Sequence, residues 1–191
     1  MNGRLCVTKV EDSFTPKFKY ESMYGRKLLE NMTGINDEQL LKGEYGKPYV
    51  VGKSDLFFNI SHSNGYIACF VSDNEVGCDI QNTAKDSQII QIAKRFFTDS
   101  EFHALKSLEP DEQKIHFYRI WCAKESYLKL LGTGLSKELN SFEVVLPDNI
   151  GDVFRINDSY LKEYMVDNEY LCTISSFLCH FPCEFERIEV I

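Results

Sequence analysis

Residues 56–80 carry the stretch on which the fold turns: Leu56-Phe57-Phe58-Asn59-Ile60, then Gly65-Tyr66-Ile67-Ala68-Cys69-Phe70-Val71, then Glu75-Val76-Gly77-Cys78-Asp79-Ile80. The first two runs flank His62-Ser63-Asn64-Gly65 and the third follows Ser72-Asp73-Asn74, so turn-forming residues separate three β-rich segments. A hairpin followed by a further strand is expected. Near the other end of the chain, Glu169-Tyr170-Leu171-Cys172-Thr173-Ile174-Ser175 repeats the pattern of residues 65–72. A duplicated half-fold would give that likeness, and so would two apolar strands that match by chance.

Working outward, Tyr20, Met23, Tyr24, Leu28 and Leu29 share a stripe that predicts a helix over residues 19–32, with Gly34 past its end. Tyr45-Gly46-Lys47-Pro48 reads as a turn. Ile89, Ile90, Ala93 and Phe97 line one side of a helix expected over 87–97, and Thr98-Asp99-Ser100-Glu101 has the spacing of a capping box opening the next. The longest helix is expected over 111–131, ended by Gly132-Thr133-Gly134. Strands are expected again over 142–146, 153–156, 164–166 and 170–175, with a last one ending at Ile191. Strand-rich and helix-rich segments in this order give an α+β class, and without a Pro- or Ser-rich linker any lobes must adjoin tightly.

The chain has 191 residues, 43% hydrophobic and 26% charged, enough apolar content for one domain or two small lobes and too much for disorder. Its 29 acids against 21 Lys plus Arg leave a formal charge of −8, which argues against general nucleic-acid or anionic-membrane binding. A polyanionic ligand would have to meet a local cluster of cations. Of the seven cysteines, Cys6, Cys69, Cys78, Cys122 and Cys172 sit in apolar runs and read as reduced core thiols of a cytoplasmic protein. Cys179, His180 and Cys183 are the one cluster resembling metal ligands, without the second pair a zinc finger needs. The N-terminus lacks a signal-peptide run and no stretch is long enough to span a bilayer, so no membrane association is expected.

Asp79 ends an otherwise apolar strand, where a carboxylate is costly unless something pairs with it. Strand periodicity puts Asp79 and Gln81 on one face and Cys78 and Ile80 on the other. In Trp121-Cys122-Ala123-Lys124-Glu125-Ser126-Tyr127-Leu128-Lys129, Glu125 and Lys129 share a helix face, with Lys124 rotated by one residue. On an isolated helix this would be a solvated ion pair; next to Trp121 and apolar neighbours it is more than that. Asp79, Gln81 and Glu125 make a hard-oxygen set suited to Mg²⁺ beside a substrate phosphate, with Lys124 and Lys129 as neighbouring cations. His62 lies in a turn whose hydroxyls, imidazole and backbone N–H groups can hold an anion. No third group completes a Ser-His nucleophile.

Taken with Tyr45-Gly46-Lys47-Pro48, Phe58-Asn59-Ile60-Ser61-His62-Ser63 and Ala93-Lys94-Arg95-Phe96-Phe97-Thr98, these segments resemble the 4′-phosphopantetheinyl transferases of the Sfp type. The resemblance covers roughly residues 45–146. It implies Mg²⁺-dependent transfer of 4′-phosphopantetheine from coenzyme A to a serine of an apo acyl or peptidyl carrier protein, releasing adenosine 3′,5′-bisphosphate; Mn²⁺ is a possible substitute. Also implied is a pseudodimer of two α/β lobes, each a small mainly antiparallel sheet on a long helix, with the site between them. Residues 1–75 would form the coenzyme A lobe and 76–191 the catalytic lobe of one monomeric unit. By the same resemblance Asp79 and Glu125 match metal positions and Glu125 the base. Lys129 matches the phosphate contact that assists the leaving group, Lys124 a phosphate contact, and Lys47, Ser61 and His62 coenzyme A contacts. Gln81 stands where many members carry an acid, and it is expected to offer a neutral carbonyl oxygen to the metal. Lys17, Lys19 and Arg26 are candidates for the 3′-phosphate, with Ser22 near the nucleotide. A metal-dependent phosphohydrolase and a non-catalytic coenzyme A module are the competing functions.

Overall fold

The computed structural model describes residues 3–10, 17–84 and 88–190, with the backbone alone for 17–19 and 135. In chain order the described elements are β1 (Arg4–Lys9), α1 (Lys17–Thr33), β2 (Leu40–Lys42), β3 (Pro48–Val50), β4 (Phe57–Ser63), β5 (Tyr66–Ser72) and β6 (Val76–Asn82). Then follow α2 (Ile89–Phe96), α3 (Asp99–Ser107), α4 (Pro110–Leu131), β7 (Val153–Ile156), β8 (Ser159–Val166), β9 (Tyr170–Ser176) and β10 (Glu186–Arg187). Ser87, the expected start of α2, lies outside the described residues.

Asn64 and Gly65 both adopt the left-handed conformation, φ 48° and 84°, giving the two-residue turn that suits the twist of the β4–β5 hairpin. The second hairpin, β8–β9, turns through Asp167 and Asn168 at φ 51° and 60°. The first sheet runs β10-β1-β5-β4 and the second β6-β9-β8-β7, with β2–β3 a separate hairpin. The pairings are antiparallel except that of β10 beside β1. The 75/76 division falls between the two sheets, yet β10 returns to the first sheet from the far end of the chain.

Both central strands, β5 and β9, are buried at every position, which is why they read as continuous apolar runs. Ile67, Cys69 and Val71 of β5 face α1 through Leu28 and Leu29, while Ala68 and Phe70 meet Cys78, Ile80, Cys172 and Ile174 of the second sheet. The far side of that sheet carries α4. Between the two sheets the hairpin ends interlock: the Tyr66 and Tyr170 rings stack at 3.9 Å, Tyr66 Oη donates to Asp167 Oδ2 at 2.6 Å, and Tyr170 Oη donates to the Asn64 carbonyl at 3.4 Å.

The strand expected over 142–146 does not form. The Val144 N–H donates to Glu101 Oε1 at 2.7 Å and the Phe142 carbonyl accepts from Lys124 Nζ at 2.6 Å, so side chains take the groups a ladder would use. The C-terminal strand is only Glu186–Arg187. The Thr98–Glu101 capping box is present, and Gly132 ends α4 at φ 66°. Among the described residues no helix is long and apolar enough to cross a membrane.

Candidate active site

Glycine at 77 brings α4 directly onto β6: a Cβ there would lie 2.0 Å from the Ser126 carbonyl oxygen and 2.6 Å from the Leu130 nitrogen. That close approach puts the Glu125–Lys129 face of α4 over Asp79. The Asp79 carboxylate, 2% exposed, is met by three donors. Lys129 Nζ donates to Oδ1 at 2.6 Å, the Ser61 hydroxyl donates to Oδ1 at 2.9 Å, and Gln81 Nε2 donates to Oδ2 at 3.0 Å. Ser61 Oγ also accepts from Lys129 Nζ at 2.9 Å and from the Ile80 N–H at 3.3 Å.

The charges of this cluster do not balance, with two carboxylates against one ammonium. Burial, and then the negative charge of Asp79, push the Glu125 carboxyl above its usual range, while Lys129 pulls only partly back. Burial pulls the Lys129 ammonium down, but the charge and hydrogen bond of Asp79, with Cys78 and Glu125, outweigh it and leave Lys129 above its ordinary value. At neutral pH Lys129 is a fixed cation.

Asp79, Gln81, Glu125, Lys129 and Ser61 are thus brought together, and one other expectation, that for Lys124, is corrected. Lys124 is fully buried on the opposite side of α4, its ammonium 2.9 Å from Glu101 Oε1 and donating to the carbonyls of Leu139 and Phe142 at 2.8 and 2.6 Å. One residue of helical rotation, about 100°, is enough to turn it from the cleft into the core, so it is no phosphate contact. Lys47 lines the cleft with its stem, but its ammonium donates to Glu75 Oε2, the Val76 carbonyl and the Leu130 carbonyl at 2.6, 3.0 and 3.1 Å. In this arrangement it ties the end of α4 to β6. Gln81 meets Asp79 through its amide nitrogen, and this bond does not use the carbonyl oxygen expected at a metal.

The turn after His62 does hold an anion, and that anion is the buried Glu21 of α1: its Oε2 lies 3.0 Å from His62 Nδ1 and its Oε1 accepts the Gly65 N–H at 2.7 Å. Arg26 is held by Ser22 and Asp37 at 3.0 and 2.9 Å. The side chains of Lys17 and Lys19 lie outside the described residues. Cys179 and Cys183 are exposed free thiols, and no group of three or more His, Cys, Asp or Glu able to hold a metal occurs among the described residues.

Sequence reasoning missed the seam between the sheets. The N–H groups of Cys78, Ile80 and Asn82 on the open edge of β6 donate to Asn59 Oδ1, Ser61 Oγ and Ser63 Oγ of β4 at 3.0, 3.3 and 3.2 Å. Polar side chains alternating at 59, 61 and 63 in an apolar strand were the available signal. Three recesses follow β4: one of ≈ 440 Å³ holding His62, Arg26 and Ser22, one of ≈ 320 Å³ holding Asn59, Glu125 and Lys129, and an apolar one of ≈ 510 Å³ holding Phe57 and Phe58.

The segment that builds this site, residues 75–175 from β6 through α4 to β9, matches the family model described as ACPS, 4′-phosphopantetheinyl transferase superfamily. The chain belongs to this superfamily. It is 40% identical over 131 residues to a 4′-phosphopantetheinyl transferase of Bacillus subtilis, covering 66% of this chain and 58% of that relative. To 4′-phosphopantetheinyl transferase Sfp of Bacillus subtilis strain 168 it is 38% identical over 143 residues, 73% of this chain and 63% of Sfp. To 4′-phosphopantetheinyl transferase HetI of a Nostoc species it is 38% identical over 129 residues, 63% and 53% of the two chains. The chain therefore spans less than two thirds of these relatives. Among solved structures, a Thermotoga maritima holo-[acyl-carrier-protein] synthase aligns with a TM-score of 0.40 at 14% identity over 53% of this chain and 61% of that one, too loosely to carry any argument.

Proposed function

We propose that the protein transfers the 4′-phosphopantetheine group of coenzyme A to a serine hydroxyl of an apo acyl or peptidyl carrier protein, releasing adenosine 3′,5′-bisphosphate. The observation that carries this is the meeting of Asp79, Glu125 and Lys129, all within the segment matched by the superfamily, with Ser61 of β4 bonded to Asp79 and Lys129.

The charge balance of the cluster decides whether Mg²⁺ suits it. Two carboxylates and a single ammonium leave a net negative site; burial, and after it the charge of Asp79, raise the Glu125 carboxyl. A divalent cation would reverse it and make the cleft hospitable to a pyrophosphate, so Asp79 and Glu125 fit as its ligands. When bound, Mg²⁺ supplies neutralisation of the pyrophosphate charge.

The chain's own residues then do the following. The serine oxygen attacks the phosphorus on the pantetheine side, the bond from that phosphorus to the oxygen of the nucleotide phosphate breaks, and the serine proton passes to Glu125. Lys129, held protonated, balances the charge that grows on the departing bisphosphate, and Ser61 keeps Lys129 and Asp79 in register.

The similar β4–β5 and β8–β9 hairpins, with a tyrosine hydroxyl from each donated to the turn of the other, support a pseudodimer of two lobes divided near residue 75. Because one chain then supplies both sides of the cleft, we assign it as a cytoplasmic monomer. The test is product analysis: with coenzyme A, Mg²⁺ and an apo carrier, adenosine 3′,5′-bisphosphate should accumulate in step with carrier consumed. Release of inorganic phosphate with the carrier untouched would favour a phosphohydrolase.

A further inference from the structure

One hydroxyl beside the Asp79 cluster is buried with nothing to bond. Thr173 of β9 is fully buried, and its Oγ1 has no hydrogen-bond partner among the described residues. An unpaired buried hydroxyl is costly, and a valine would fill the same space on a strand without that penalty. Neighbours on β9 show which way Thr173 faces. Cys172 and Ile174 point between the two sheets, while Ser175 Oγ accepts from the Ser126 hydroxyl of α4 and donates to the Ser126 carbonyl, both at 2.9 Å. Alternation therefore puts Thr173 on the α4 face.

Its ladder partners on that face are both carboxylates, Asp79 of β6 and Glu163 of β8. Directly opposed side chains have Cβ atoms about 5 Å apart, which leaves either carboxylate within a hydroxyl's reach. Glu163 has no need of one. Arg119 donates to its Oε1 at 3.2 Å and to its Oε2 at 3.0 and 2.8 Å. Asp79 is held by Lys129 at the edge of the cleft, and a dication on that carboxylate would repel the ammonium. The ammonium would then be free for the departing bisphosphate, and Asp79 would have lost its charged donor. Strand β6 lies between β4 and β9, so Asp79 would keep the Ser61 hydroxyl on one flank and have the Thr173 hydroxyl on the other.

We propose that Thr173 is a positioning residue whose hydroxyl donates to Asp79 once Lys129 has left that carboxylate, holding Asp79 in the orientation that keeps a divalent cation. The inference rests on the reading of Asp79 and Glu125 as cation ligands. Thr173→Val deletes the hydroxyl at nearly constant shape, and Thr173→Ser keeps it. Thr173→Ala compared with Thr173→Ser deletes it again in a smaller side chain. Mn²⁺ uptake is titrated with coenzyme A and no carrier, so that nothing turns over, by the paramagnetic resonance of the free ion; thermal unfolding is followed in chelator and in Mn²⁺.

Thr173→Val should weaken Mn²⁺ binding about tenfold, whereas Thr173→Ser should stay within about twofold of wild type. The rise in Tm that Mn²⁺ gives should shrink in Thr173→Val. In chelator that variant should melt at or above wild type, because it has lost only an unpaired group. An equal loss of binding in Thr173→Ser would overturn the proposal by placing the effect on the methyl group. A Tm lowered in chelator would overturn it too, by giving the hydroxyl a partner in the cation-free fold. Should Thr173→Val fail to fold, the Ser and Ala variants decide in its place. Wild type that takes up Mn²⁺ while Thr173→Val matches it would strike the role of Thr173 alone, and wild type that takes up none would strike the cation reading beneath it.

Discussion

Gly77→Ala perturbs the contact that puts Glu125 and Lys129, the side chains proposed as catalytic, over the Asp79 carboxylate. The added Cβ would meet the Ser126 carbonyl oxygen at 2.0 Å, Ser175 Oγ at 2.5 Å and the Leu130 nitrogen at 2.6 Å. Two of these are backbone atoms of α4 that no rotamer can move. Relief even to the edge of tolerable contact requires α4 to back away from β6 by ~1 Å, which opens the 2.6 Å bond between Lys129 Nζ and Asp79 Oδ1. Overpacking against backbone belongs at the top of its usual range, about 3 kcal/mol, and for a chain of this size that corresponds to a fall in Tm of about 6–12 °C. A displacement of ~1 Å in a positioned group can cost about a hundredfold in rate. Thermal unfolding reads the first effect, and transfer rate at a temperature where the variant remains folded reads the second. A variant with unchanged Tm and a transfer rate within twofold of wild type would show that close packing of α4 on β6 does not set the site.

Glu125→Gln should abolish transfer while stabilising the protein at neutral pH. The folded carboxyl is raised above its unfolded value near 4.3, so its contribution is most favourable below that value and is lost as pH rises through the folded pKa. The Tm gain of the variant should grow across that window and shrink as pH falls; a gain independent of pH would contradict this. Lys124→Met strands Glu101 in the core and should cost about 3–5 kcal/mol in denaturant unfolding, and a change under 1 kcal/mol would mean the pair is not structural. Gln81→Glu replaces a donor on Asp79 with a third carboxylate, so half-saturation should come at several-fold lower Mg²⁺; an unchanged Mg²⁺ dependence would remove position 81 from the cation's surroundings.

What the sequence disclosed follows from which interactions are local. Strands β5 and β9 were legible because burial on both faces writes itself as an unbroken apolar run. The α3 cap and the end of α4 were legible from residues three apart and from a single glycine. The segment 142–146 has the alternation of a strand in Phe142, Val144 and Leu146, but Glu101 and Lys124, distant along the chain, take its backbone groups. Strand β8 is longer than expected because Glu163 sits buried within it, made tolerable by Arg119, which donates to it at 2.8 Å. At the site, Asp79, Glu125 and Lys129 were legible as a spaced motif. Lys124 and Lys47 were assigned by the family resemblance, and only tertiary structure shows Lys124 buried against Glu101 and the Lys47 ammonium bonded to Glu75. The Asn59-Ser61-Ser63 seam shows locally only as polar residues alternating in an apolar strand; which sheet edge they meet is set by tertiary structure.

The formal charge of −8 sharpens the functional problem, since coenzyme A is itself a polyanion. On the proposed reading its phosphates would meet Lys129 and the cation that Asp79 and Glu125 would hold. The most direct test is the intact mass of an apo carrier protein after incubation with the enzyme, coenzyme A and Mg²⁺, across carriers from fatty-acid, polyketide and nonribosomal-peptide synthesis. A gain of one phosphopantetheine on at least one carrier, abolished by Glu125→Ala in a variant that still unfolds cooperatively, is the predicted result. Unmodified mass on every carrier, or full modification by the Glu125→Ala variant, would contradict the account.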